Sequence, residues 1–186
     1  MKKTIRILAL LFALATVFSL CSCATSSPES LAKAYVKATM KFDVKKVDSY
    51  RLVTIKDCVN YYAERDGLTF KEALEDCYDV SSLDEYFKEL KEDSKDDAED
   101  EYGKFKFEIR KVDVDEYSPE RLGELKDYCE AYYEEFGVNI DKISAAARVK
   151  IKVRITGEEQ SETTEKTITV VKYKGQWKVL DRSVLY

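Results

Sequence analysis

The chain has 186 residues, 31 Lys and Arg against 36 Asp and Glu, five cysteines and no histidine. That length allows one domain with a sizeable core, and the net charge of −5 makes a poor electrostatic match for nucleic acid. The lack of histidine removes Ser-His-Asp triads, histidine-containing zinc sites and the side chain that titrates nearest neutrality.

The chain opens with Lys2, Lys3 and Arg6, followed by an apolar run of 14 residues from Ile7 to Leu20. A spanning helix needs about 20 apolar residues, so this run has the layout of a secretory signal instead. Leu20-Cys21-Ser22-Cys23 resembles the lipobox of bacterial lipoproteins, in which an aliphatic residue and two small residues precede the cysteine that is cut before and acylated. Cys23 suits that position, with small Ser22 before it and Leu20 three residues upstream. Cys21 does not, because bulky Leu20 stands directly before it. The expected organisation is a signal over residues 1–22, a lipidated tether over 23–27 and a single α+β domain over 28–186. Palmitate-type chains on Cys23 would hold the domain on the extracytoplasmic face of the cell membrane, two or more at about 0.8 kcal/mol per buried methylene. Loss of residues 1–22 removes three basic residues and no acids, which takes the net charge to −8.

Ser27 and Pro28 predict a helix start, continued by Leu31, Ala34, Tyr35, Ala38 and Phe42 at helical spacing. Asp43 can cap a short second helix with Val44, Val47 and Tyr50 inward. Two helices joined at Asp66-Gly67-Leu68 follow. The first turns Ile55, Cys58, Val59, Tyr62 and Ala63 inward. The second, opened by the capping box Thr69/Glu72, turns in Phe70, Ala73, Leu74, Cys77 and Tyr78. Ser82 with Glu85 opens another helix, whose apolar side is Leu83, Tyr86, Phe87 and Leu90. It runs into residues 92–101, with seven acids and one lysine, where acids oppose the helix dipole and a frayed, solvated end is expected. The acidic run lacks the spacing and glycine of a calcium loop.

From Lys104 the period becomes two. Phe105, Phe107 and Ile109 share a face that Val112 and Val114 resume after a one-residue shift, the mark of a bulge. Ser118-Pro119 starts a helix with Leu122, Leu125, Cys129, Tyr132 and Phe136 inward and Gly137 as its stop. Strand ARVKIKVRI, residues 147–155, sets Val149, Ile151, Val153 and Ile155 against Arg148, Lys150, Lys152 and Arg154. A turn near Gly157–Gln160 leads to a strand through Ile168, Val170 and Tyr173, and Lys174-Gly175 turns into Trp177 and Val179.

Three constellations carry alternatives. Cys58 and Cys77 are nearly equidistant from the Gly67-Leu68 turn, so they form either a disulfide or two buried thiols. The basic row of residues 148–154 is either an anion-binding face or the solvated side of a strand paired with Glu162 or Glu165. Of the doublets Tyr61-Tyr62 and Tyr132-Tyr133, one ring each should sit at the boundary, because adjacent helical residues point about 100° apart. No catalytic, cofactor-binding or metal-ligating residue can be assigned.

Ser27-Pro28-Glu29 before an Ala-rich helix, the capped helix at Asp43 and a meander ending in KGQWKVL (Lys174–Leu180) resemble nuclear transport factor 2-like domains. The likeness is greatest to those of Gram-positive bacterial lipoproteins. The resemblance implies N-terminal helices packed on a curved antiparallel sheet, a cone with an apolar pocket, with residues 55–100 and 119–136 as helical insertions. The family includes isomerases, dehydratases and non-catalytic modules. The expectation here is a lipid-anchored binding module for a small ligand, a peptide or an envelope protein. The alternatives are a cone-pocket isomerase- or dehydratase-like enzyme using a buried carboxylate and a tyrosine, and a structural spacer of the envelope.

Overall fold

The computed structural model describes residues 26–158 and 160–181; the expected signal, the expected anchor at Cys23 and the start of the expected tether lie outside them. Helices α1 (Pro28–Thr39), α2 (Val44–Tyr50), α3 (Ile55–Asp66), α4 (Phe70–Tyr78) and α5 (Leu83–Tyr102) precede strand β1 (Lys106–Glu116). Helix α6 (Pro119–Tyr133) and strands β2 (Ile143–Thr156), β3 (Ser161–Tyr173) and β4 (Gln176–Val179) follow. The fold is α+β: the strands form one open, curved antiparallel sheet in the order β1-β2-β3-β4, with helices packed on it.

Local chemistry places the helix boundaries. Ser27, Asp43, Thr54, Thr69, Ser82 and Ser118 each accept a hydrogen bond from a backbone amide in the first turn of the helix they open. Those amides have no helical acceptor, so each cap removes an unsatisfied donor. Gly67 closes α3 at φ 69°, a left-handed conformation that lets α4 turn back beside it. Lys174 and Gly175, at φ 49° and 82°, form the two-residue turn between β3 and β4.

Two cores lie on opposite faces of the sheet. On the inner face, α1 crosses all four strands, and Leu31, Ala32 and Val36 pack with Val149, Ile151, Val170 and Trp177. On the outer face, α3, α4 and α6 bring Cys58, Val59, Leu74, Cys129 and Tyr133 onto Ile143, Ala146 and Val171. Beyond Ala147 the outer face of β2 is uncovered, which is why Arg148, Lys150, Lys152 and Arg154 alternate with fully buried neighbours there. The register slips between Ile109 and Lys111, and the bulge returns Val112 and Val114 to the inner face opposite Ile151 and Val149.

The structure departs from the sequence expectations in three places. Helix α5 does not fray at residues 92–101 but continues to Tyr102. Its end is held by tertiary contacts described below, and Lys88–Glu92 and Lys95–Glu99 pair one turn apart along it. On α6 the inward ring is Tyr133, fully buried, while Tyr132 is exposed, because Tyr133 lies four residues beyond buried Cys129. The symmetry of Cys58 and Cys77 about the turn does not bring them together. All three described cysteines are thiols, with Cys58 and Cys129 buried and Cys77 exposed. The last turn of α4 presents Tyr78 instead, whose ring lies 4.9 Å from that of Tyr86.

Ala146 and Ala147 are buried in opposite cores. Ala146→Leu and Ala147→Leu should each cost about 1–3 kcal/mol through overpacking. Lys150→Leu, on the solvated face, should change stability by less than about 0.5 kcal/mol. Urea denaturation of the three variants checks this.

Candidate functional site

Helix α1 covers the inner face only in part. Between α1, α5 and the first half of β3 lies a cavity of about 930 Å³, with Val36, Met40, Phe105, Val153, Ile155 and Ile168 along its apolar wall. Leu90, Ser94, Asp97 and Ala98 of α5 face it, at the spacing of one helix side.

The wall formed by α5 is fixed by its junction with the β2–β3 turn. The Glu158 amide donates to the Tyr102 carbonyl at 2.9 Å, and the Tyr102 hydroxyl donates to Glu162 Oε1 at 2.7 Å. Gly157 permits this approach, since a Cβ there would fall 2.2 Å from the Tyr102 carbonyl oxygen. Hydrogen bonding to Glu162 and burial push the Tyr102 hydroxyl pKa well above the usual phenol range. The acidic run therefore stays helical because its far end is clamped.

A charged network closes the other end. Tyr35 of α1 donates to Asp181 Oδ2 at 2.7 Å, and Arg51 Nε and Nη2 each lie 3.1 Å from the same oxygen. Arg51 Nη1 is 3.7 Å from Asp48 Oδ1, which also accepts from the Ile55 amide at 3.0 Å. The Arg51 side chain is only 14% exposed. Burial opposes its charge, yet Asp181, Tyr35 and Asp48 outweigh that penalty and its pKa is raised. Burial likewise raises the Asp48 pKa against the pull of the Ile55 amide and Arg51. Burial first, then the bond to Asp181, pushes the Tyr35 hydroxyl up to about 12. Because Leu52 donates its amide to the Val179 carbonyl at 2.8 Å, the same segment also flanks β4.

This network joins α1, the segment after α2 and the end of β4, and it sets one guanidinium between two carboxylates. Asp181 Oδ2 is engaged by both Arg51 and Tyr35, so it does not stand alone in the cavity as a proton acceptor. Among the described residues no group of three or more metal-ligating side chains is gathered.

The sites expected from sequence lie elsewhere. The basic row is on the outer face, in a mixed lattice where Lys152 meets Glu165 at 3.7 Å and Arg121 meets Asp115 at 3.0 Å. Glu162, the other expected partner of that row, turns to the inner face and Tyr102. Cys58 and Cys77 do not line the cavity, although Cys58 lies within electrostatic reach of Asp48 and Arg51, and Cys23 is outside the described residues. Sequence reasoning missed Arg51, Asp48 and Asp181. One signal was present: Tyr35 on an inward helix stripe requires a partner for its hydroxyl.

Removing Arg51 would strand two carboxylates. Arg51→Met should cost about 3 kcal/mol at neutral pH, by urea denaturation. Tyr35 has a folded pKa above its ordinary 10.0, so its contribution is complete below pH 10 and is lost as pH rises through about 12. Tyr35→Phe should flatten part of the stability loss across that window and remove one late-titrating phenol from the absorbance titration at 295 nm. Comparison of the chain with protein-family models, with curated proteins and with solved structures finds no match.

Proposed function

We propose that the chain is an extracytoplasmic domain held on the cell membrane through a lipidated Cys23, and that it is a non-catalytic binding module whose ligand occupies the inner-face cavity. The order Leu20-Cys21-Ser22-Cys23 after a basic and then apolar leader supports the anchor. The observation that carries the binding reading is the cavity itself. At about 930 Å³ it is in the range of small-ligand sites, and it joins an apolar wall to a few polar groups. Helices packed on a curved antiparallel sheet support kinship with the nuclear transport factor 2-like cone, but kinship of fold would not choose a ligand.

Two contacts at the cavity edge favour the rival reading of an isomerase- or dehydratase-like enzyme: the hydroxyls of Tyr35 and Tyr102, each 2.7 Å from a carboxylate oxygen, of Asp181 and Glu162. Two features weigh against it. Arg51 occupies the same Asp181 oxygen. Tyr35, at about 12, and Tyr102, pushed well above the usual phenol range, lie far from the neutral range in which a proton-transfer group works best.

Two measurements test the reading. Radiolabelled palmitate should attach to the wild-type chain in a bacterial host and not to Cys23→Ala. Label persisting in the variant, or absent from both, removes the anchor. The neutral dye N-phenyl-1-naphthylamine should fluoresce on binding the full chain, and Ala98→Trp, which fills the cavity from α5, should weaken that binding at least tenfold without moving the urea midpoint. Equal binding by both proteins would place the dye elsewhere and refute the cavity as the binding site.

A further inference from the structure

Strand β3 pairs with β2 along its full length, but with β4 only from Val170 to Tyr173. The Leu180 amide, donating to the Thr169 carbonyl at 2.9 Å, makes the last rung on that side. From Ser161 to Ile168 no strand lies beyond β3 among the described residues. An antiparallel ladder turns both backbone groups of alternate residues to the same side. Since Thr169 faces β4, Thr163, Glu165 and Thr167 direct their amides and carbonyls to the open edge.

This edge is suited to pairing. It holds no proline, its register with β2 is unbroken from Ala145 to Thr156, and threonines at 163, 164 and 167 favour extended backbone. The cavity wraps it, since Lys166 and Ile168 of one face and Thr167 and Thr169 of the other all line it. The facing wall is α5, whose residues 92–101 hold seven acids and one lysine, with Asp97 directed into the cavity.

We infer that the cavity and this edge together receive a basic, extended peptide that adds to β3 as a further strand. Its backbone bonds to the outward groups of Thr163, Glu165 and Thr167. Of the side chains on its cavity-facing side, apolar ones meet Ile155 and Ile168, and cationic ones two residues along meet Asp97. A row of backbone donors and acceptors at strand spacing is matched by another peptide backbone, and the acidic wall selects its charge. The inference rests on the binding-module reading and specifies its ligand class.

The test uses the full chain in detergent micelles at low salt, with protein-free micelles as the blank for the dye, and acetyl-(Val-Thr-Lys-Thr)3-amide and acetyl-(Val-Thr-Glu-Thr)3-amide as probes in calorimetry and backbone amide exchange. The lysine peptide should bind at least tenfold more tightly than the glutamate peptide and slow exchange at Thr163, Glu165 and Thr167 at least tenfold. Thr167→Pro removes one outward amide without taking a rung from the β2–β3 ladder, and Asp97→Lys reverses charge on an exposed helix. Each should weaken the lysine peptide at least fivefold while the far-ultraviolet circular dichroism of the chain stays unchanged. Equal affinity for the two peptides, binding that leaves those amides unchanged, or amides already protected without peptide because the chain covers its own edge would overturn the inference. Dye binding without peptide binding rejects the peptide alone; loss of both rejects the binding module as well.

Discussion

Three alanines in succession, Ala145–Ala147, lie where helices press on the sheet from both sides. Ala147 meets the core under α1, and Ala146 meets the core under α3, α4 and α6. Side chains of strand neighbours point to opposite faces, so a strand can serve two cores only where both of its faces are covered. That double burial joins what would otherwise be a helix-covered sheet and a separate helical cluster. It also sets the limits of the covered region. Past Ala147 the outer face carries charge, and past Ile151 the inner face opens into the cavity.

The cavity is a consequence of short elements. Strand β4 ends at Val179 and leaves the first half of β3 without a neighbour on that side among the described residues. Helix α1 ends at Thr39 and covers only part of the inner face. What keeps the gap from collapsing is two rigid ends. At one, Gly157 and Tyr102 clamp the end of α5 to the β2–β3 turn. At the other, Tyr35, Arg51, Asp48 and Asp181 tie helices to β4 through a buried ionic network, whose members would be costly to separate because each is partly desolvated. A pocket held open by polar closures and lined by apolar side chains is suited to binding.

How much of this could be read beforehand depended on whether one local rule acted alone. Val149–Ile155 was legible because one face of β2 meets water and the other the core, and the bulge after Ile109 was legible because it shifts that alternation by one residue. Ala145–Ala147 carries no such alternation, since both faces are covered. The acidic end of α5 was misread because the dipole argument is local, whereas the clamp comes from a turn more than 50 residues away. Cys58 and Cys77 matched in distance from their turn, but the rotation of the last turn of α4 decides which side chain is inward. Arg51 and Asp181 are separated by 130 residues and share no periodic signal.

The central claim, that β2 is a common wall for both cores, is tested most directly by following two probes through one urea titration. Trp177, the only tryptophan, lies in the inner core, whereas helical circular dichroism reports largely on the elements of the outer one. Coincident transitions are the result the account predicts, because neither core keeps its wall once the other unfolds. Loss of the helical signal at lower urea, with Trp177 still in its native environment, would contradict it.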